Sequence, residues 1–183
     1  NCSEFGELVS NLVIYDNNIS FVQAGIGFMG ARNNSIYGNH LYNITRYGIF
    51  LAGCSSNNSF EYNNISGRNP SLYGLFLMDM NESFENNSFL SNDFSDFLFG
   101  VYSYNISDFN QISNNSFQNI TDGLYLFNGE NFNISRNKIY ASNQSIIFDS
   151  FNNSNVWLNH FYSGLYAVKE NGTTAANEFC VLD

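Results

Sequence analysis

Positive charge is scarce in this chain: six Lys and Arg stand against sixteen Asp and Glu, for a net charge of −10 over 183 residues. With only Arg32, Arg46, Arg68, Arg136, Lys138 and Lys169 positive, nucleic acid and anionic membrane surfaces are poor partners. No run of 18 apolar residues occurs, so no segment is expected to cross a membrane as a helix. Apolar residues at helical spacing never persist long enough to suggest an amphipathic helix, at the termini or elsewhere. A Gly-rich phosphate loop, a Cys-x-x-Cys pair and a nucleophile elbow are also missing. Three Cys agree with an oxidising setting but make no disulfide framework. The chain opens on Asn1-Cys2-Ser3 without Met, as expected of a processed or excerpted protein.

What is present is repetition. Asn17, Asn39, Asn63, Asn87, Asn115, Asn137, Asn159 and Asn177 are each followed two residues later by a large apolar residue, from Ile19 to Phe179. Three residues before each stands an apolar side chain or Thr. A small residue opening an apolar, any, apolar triplet precedes most of them, as in Gly48-Ile49-Phe50-Leu51 and Gly74-Leu75-Phe76-Leu77. Self-similarity at about 22–24 residues is the signature of a solenoid. Alternation over such short runs is strand periodicity. The pattern predicts one all-β domain over residues 1–183, a three-sheet parallel β-helix of about eight coils, roughly 40 Å long at ~4.8 Å per coil. The leucine-rich frame and helical segment of a leucine-rich repeat are missing. Asn suits the column because it tolerates the left-handed conformation of a tight bend. Stacked amides can also hydrogen-bond from coil to coil.

Asn39-His40-Leu41 with Gly48-Ile49-Phe50-Leu51 resembles the right-handed parallel β-helix repeats of the pectate-lyase-like superfamily, especially NosD-type and archaeal surface-protein repeats. The resemblance covers nearly the whole chain. It implies the fold, while the frame itself hosts lyases, hydrolases, adhesins and fibres. The NosD name carries an association with copper. His40 and His160 lie five coils apart, about 24 Å, and do not chelate one ion. No metal or other cofactor is expected.

Asn-x-Ser/Thr with x not Pro occurs at Asn1, Asn18, Asn33, Asn43, Asn57, Asn64, Asn81, Asn86, Asn105, Asn114, Asn119, Asn133, Asn143, Asn152 and Asn171. With 33 Asn and 27 Ser and Thr, chance pairing gives only about five such sites. Solenoid turns favour Asn and Ser for conformational reasons alone. Placement favours glycans: Asn33, Asn57, Asn81 and Asn171 each fall six residues before a repeat Asn and should share one edge of the rod. Heavy N-glycosylation and an extracellular, secreted or cell-surface address are therefore expected.

Cys2 and Cys180 belong to opposite ends, about 30–40 Å apart, far beyond the roughly 4.4–6.8 Å a disulfide spans. They could pair between rods stacked end to end, or Cys2 could fold back toward Cys54. Cys54 could equally be a free or buried thiol. Open edges on the first and last coils suggest head-to-tail self-association. The middle residues of the triplets include Phe50, Phe76, Tyr102, Tyr125 and Tyr166, an outward aromatic stripe suited to a sugar or a neighbouring rod, or to packing on itself.

Candidate acids are Glu61 and Glu85, each two residues before a repeat Asn, and Asp93 and Asp96 in what reads as an insertion over residues 91–99. No Arg or Lys column accompanies them. The sequence therefore points to a noncatalytic, glycosylated structural solenoid, a sheath, filament or cell-surface unit. Polysaccharide is a further candidate partner. The alternatives are a carbohydrate-active enzyme, a lyase or glycosidase using such carboxylates, and a carbohydrate-binding adhesin.

Overall fold

A computed structural model describes residues 9–80, 84–106 and 109–172, without the side chains of residues 69 and 70, and the backbone of residues 178–180. Among the described residues there are strands and no helix. Strand β1 (Val9–Ser10) precedes a first rung of β2 (Val13–Tyr15), β3 (Asn18–Ser20) and β4 (Ala24–Met29). The second rung holds β5 (Ala31–Arg32), β6 (Ser35–Tyr37), β7 (His40–Ile44) and β8 (Tyr47–Ala52). In the third and fourth rungs two sides merge into one bent strand: β9 (Ser59–Glu61) with β10 (Asn64–Met78), and β11 (Ser88–Leu90) with β12 (Asp93–Tyr104). The fifth and sixth follow suit, with β13 (Gln111–Ser113) and β14 (Ser116–Glu130), then β15 (Asn133–Ser135) and β16 (Lys138–Asn152). The seventh rung separates again into β17 (Asn155–Trp157), β18 (His160–Ser163) and β19 (Tyr166–Asn171); β20 (Glu178–Cys180) lies beyond it.

Every strand pairs in parallel with its counterpart one rung away, giving three sheets of eight, ten and two strands. The expected three-sheet parallel β-helix is present, with seven rungs and the start of another. Inward positions stack in columns. Ile14, Ile36, Phe60, Phe89, Ile112, Ile134 and Val156 form one. Leu41, Ile65, Phe94, Phe117 and Ile139 form another. From the second rung to the sixth these residues are at most 1% exposed, and each such side chain contributes about 1.5–3 kcal/mol of burial. Ring pairs Phe60–Phe89 and Phe94–Phe117 stack at 5.0 and 5.1 Å inside.

The triplet glycines have a steric cause. A Cβ on Gly48, Gly74 or Gly100 would stand 2.5–2.7 Å from the carbonyl oxygen of the glycine one rung on, closer than van der Waals contact allows. One expected copy of the triplet is misplaced. Ile146 pairs with Val168 and Ile147 with Lys169, so residues 164–167 are not its seventh-rung version, and the register there is set three residues later.

Candidate functional site

The asparagines form two interior ladders. In the first, the Nδ2 of Asn17, Asn39, Asn63, Asn92, Asn115 and Asn137 each donates to Oδ1 of the next member, ending on Asn159, at 2.9–3.1 Å. The second runs Asn34, Asn58, Asn87, Asn110. Asn115 shows the full set of contacts: its Nδ2 donates to Phe89 O and to Asn137 Oδ1, while its Oδ1 accepts from the N–H and Nδ2 of Asn92. Two donors and two acceptor sites are the whole capacity of a carboxamide, so it is satisfied although buried. Neither Asp, which lacks the donors, nor Ser, which lacks the reach, could make all four.

Asn87 therefore does not stand in the first ladder, where the repeat had placed it. Asn92 does. Phe89 pairs with Phe60 and Ile112 and so lies three residues before a first-ladder position, not two after one. The long coil runs 29 residues from Asn63 to Asn92. Its extra residues fall before Asn87, and residues 93–99 lie within β12, bent at Asp96, whose φ is 65°. Asn177 lies outside the described residues.

The same register separates the acids. Glu61 pairs with Leu90, whereas Glu85 bridges to Ser56, so the two are in different columns. Glu61 accepts from Ser59 Oγ at 2.6 Å. Asp93 is exposed on β12. Asp96 takes a hydrogen bond from Asn119 Nδ2 at 2.6 Å.

Phe50, Phe76, Tyr102 and Tyr125 are stacked rung on rung, with centroids 5.3–5.7 Å apart. Tyr166 is not among them: it pairs with Gln144, and the column continues through Ile147 to Lys169. A second column outside the triplets, Tyr47, Tyr73 and Phe99, each directly before a triplet glycine, stacks beside the first at 5.5–5.6 Å. Edge contacts lock the two, as between Tyr73 and Tyr102 at 5.3 Å and 62°. The Arg46 guanidinium sits 4.8 Å over Tyr47. Seven rings thus cover one another's faces and present mainly edges, and all are half-buried. Tyr125 donates its hydroxyl proton to Asp149 at 3.1 Å. Burial first, then this bond and the Asp149 charge, push its pKa up to about 12. Tyr102 is raised too, by burial first and then by Tyr73, Tyr104 and Asp149.

The sequon asparagines stand elsewhere. Asn18, Asn33, Asn57, Asn64, Asn86, Asn114 and Asn119 are exposed; Asn43, Asn105, Asn133, Asn143, Asn152 and Asn171 are half-buried. Seven of these thirteen, namely Asn33, Asn43, Asn57, Asn86, Asn105, Asn114 and Asn119, occupy left-handed corners with φ of 51–57°. Asn33, Asn57 and Asn86 share one corner, each just before a second-ladder Asn. Asn171 is not on that edge, since it pairs with Asp149 on another side. Asn1 and Asn81 lie outside the described residues. The amides of Asn114, Asn119 and Asn143 are tied to Ser91, Asp96 and Asp122.

Cys54 is fully buried and disulfide-bonded, not a free thiol. Cys2 lies outside the described residues, and Cys180 is described in its backbone alone, in β20.

A family model described as periplasmic copper-binding protein (NosD) matches residues 5–180. The chain belongs to the NosD family. Comparison with curated proteins gives no match. The NosD description places its namesake in the periplasm, in keeping with a β-solenoid that works outside the cytoplasm. Its copper does not fit the donors found here. Among the described residues no three of His, Cys, Asp and Glu gather into a cluster that could hold a metal. His40 and His160 share an outward column but are five rungs apart, and the Cys54 sulfur is taken up in a disulfide. Among the described residues no helix is long and apolar enough to cross a membrane.

Proposed function

We propose that the protein is a noncatalytic structural solenoid of an extracellular or cell-surface layer, a sheath or filament subunit that bears N-glycans and associates with copies of itself end to end and side by side. The observation that carries this reading is the division of its asparagines. None of the eleven ladder residues heads a sequon. The reason is geometric: two residues after a ladder Asn the chain turns inward, and an apolar side chain stands where Ser or Thr would be needed. The excess of sequons is therefore not a by-product of the ladders, and it favours selection for sugar attachment on the outside. Self-association draws support from the first rung, where β2, β3 and β4 each pair on one side only among the described residues. Such edges invite heterologous, head-to-tail contact.

Glycopeptide mass mapping of native material is expected to find sugar on Asn33, Asn57 or Asn86. Light scattering is expected to rise more steeply than in proportion to concentration, and electron microscopy to show rods longer than one chain. Bare sequons throughout would remove the glycan half of the proposal. A particle that stays monomeric at every concentration would remove the assembly half.

A further inference from the structure

One corner of the rod changes chemistry halfway along. In rungs two to four its left-handed residue is Asn33, Asn57 or Asn86, and the side chain two positions on is Ser35, Ser59 or Ser88. In rungs five to seven the corner residue becomes Phe109, Asn131 or Asn153, and its follower Gln111, Asn133 or Asn155. The corner residue no longer heads a sequon there, the followers lengthen to carboxamides, and a groove of about 300 Å³ opens between these six side chains. No charged residue lines it.

Several of its polar atoms are free. The side chains of Gln111 and Asn155 make no hydrogen bond among the described residues, and Asn133 keeps both Nδ2 hydrogens, while the backbone N–H groups of all three are used between rungs. Other parts are held in place: Asn153 Nδ2 donates to Asn131 Oδ1, and Trp157 Nε1 donates to Asn133 Oδ1 at 3.0 Å. The Trp157 ring is itself braced by Arg136, 4.3 Å above it. Phe109 is 70% exposed, and no ring among the described residues covers its faces. In this it differs from the seven rings of the stacked columns, and it is the better platform for a flat apolar ligand surface.

We propose that this groove binds a neutral oligosaccharide lying along the rod axis, with one pyranose ring packed on Phe109 and its hydroxyls paired with the amides of Gln111, Asn133 and Asn155. Carboxamides suit hydroxyls because each both donates and accepts, and repetition at about 4.8 Å along the axis suits a linear chain. An ionic ligand would enter a groove offering no counter-charge. The inference stands apart from self-association, and it requires Asn133 to be bare of its own glycan.

The test uses the full chain produced without glycosylation, titrated calorimetrically with linear tetrasaccharides of glucose, mannose and N-acetylglucosamine. Uronic-acid and sulfated tetrasaccharides serve as charged controls. At least one neutral probe is expected to saturate, with an affinity unchanged by added salt. Phe109→Ala is expected to weaken it about 10-fold and Asn155→Ala several-fold, with unfolding midpoints unmoved because both residues are exposed. Three results overturn the proposal: no neutral probe binds, binding survives Phe109→Ala, or the charged probes bind more tightly and release in salt. A glycan on Asn133 in native material would overturn it as well.

Discussion

A ladder asparagine is costly to lose in proportion to its burial. Asn115 is 1% exposed, and truncating it strands the N–H and one Nδ2 hydrogen of Asn92 and removes the Nδ2 donor from Phe89 O and from Asn137 Oδ1, which keeps only the Asn115 N–H. Asn115→Ala is expected to lower unfolding free energy by more than about 2 kcal/mol in urea titrations. Asn17→Ala, at the exposed start of the same ladder, should cost less than about 1 kcal/mol. Tyr125 provides a pH-dependent counterpart. Its phenol titrates at 10.0 when unperturbed and near 12 in the fold, so the folded state holds this proton more tightly. The stabilisation is complete below pH ~10 and is lost as pH rises toward ~12. Ultraviolet titration of phenolate should therefore show a late phase near pH 12 that Tyr125→Phe abolishes. At this scale the sequence was informative about residue type and ambiguous about place. Each rung in the middle of the rod reads Asn-x-apolar-x-x-Asn-x-apolar, as at Asn87 to Phe94, and a column keyed on Asn-x-apolar fits either ladder. Only the pairing of Phe89 with Ile112 decides between them.

At the scale of the strand, glycine marks where rungs touch. A Cβ on Gly100 would meet both the Gly123 carbonyl oxygen and Phe117 Cδ1 at 2.7 Å, so Gly100→Ala is expected to cost about 1–3 kcal/mol. Gly27 faces outward, with Phe50 Cδ1 at 3.7 Å as its nearest neighbour. Gly27→Ala should be neutral or stabilise by up to about 1 kcal/mol, and paired thermal melts separate the two outcomes. Strand period, inward columns and the glycine column were all legible because each repeats at every rung. The seventh rung misled because Gly164-Leu165-Tyr166-Ala167 copies the local pattern while pairing sets the register three residues later. The second aromatic column is shorter. Tyr47, Tyr73 and Phe99 stand 26 residues apart, each directly before a triplet glycine, but Ala24 precedes them and Asp122 follows them in the same register, so the signal spans three rungs where the glycine column recurs along the rod.

For the molecule as a whole, ladder order limits which cysteines can meet. Cys180 belongs to β20, five pairings along the eight-stranded sheet from β9, the strand that follows Cys54. At ~4.8 Å per step that is about 24 Å, too far for a bond within one chain. Non-reducing peptide mapping of the monomer is expected to link Cys54 to Cys2 and to leave Cys180 unlinked; a Cys54–Cys180 peptide from monomer would contradict the stacking order. Should Cys2 be engaged in this way, an intersubunit bridge would have to come from Cys180.

Both amide ladders have a direction. Every Nδ2 hands its proton forward, toward the C-terminal rung, and no step runs backward. The interior is thus a vector whose two tips are not alike. Two such needles laid nose to nose would oppose like with like, so any joint that prolongs these ladders must be polar, and an assembly grown that way would have a front and a back.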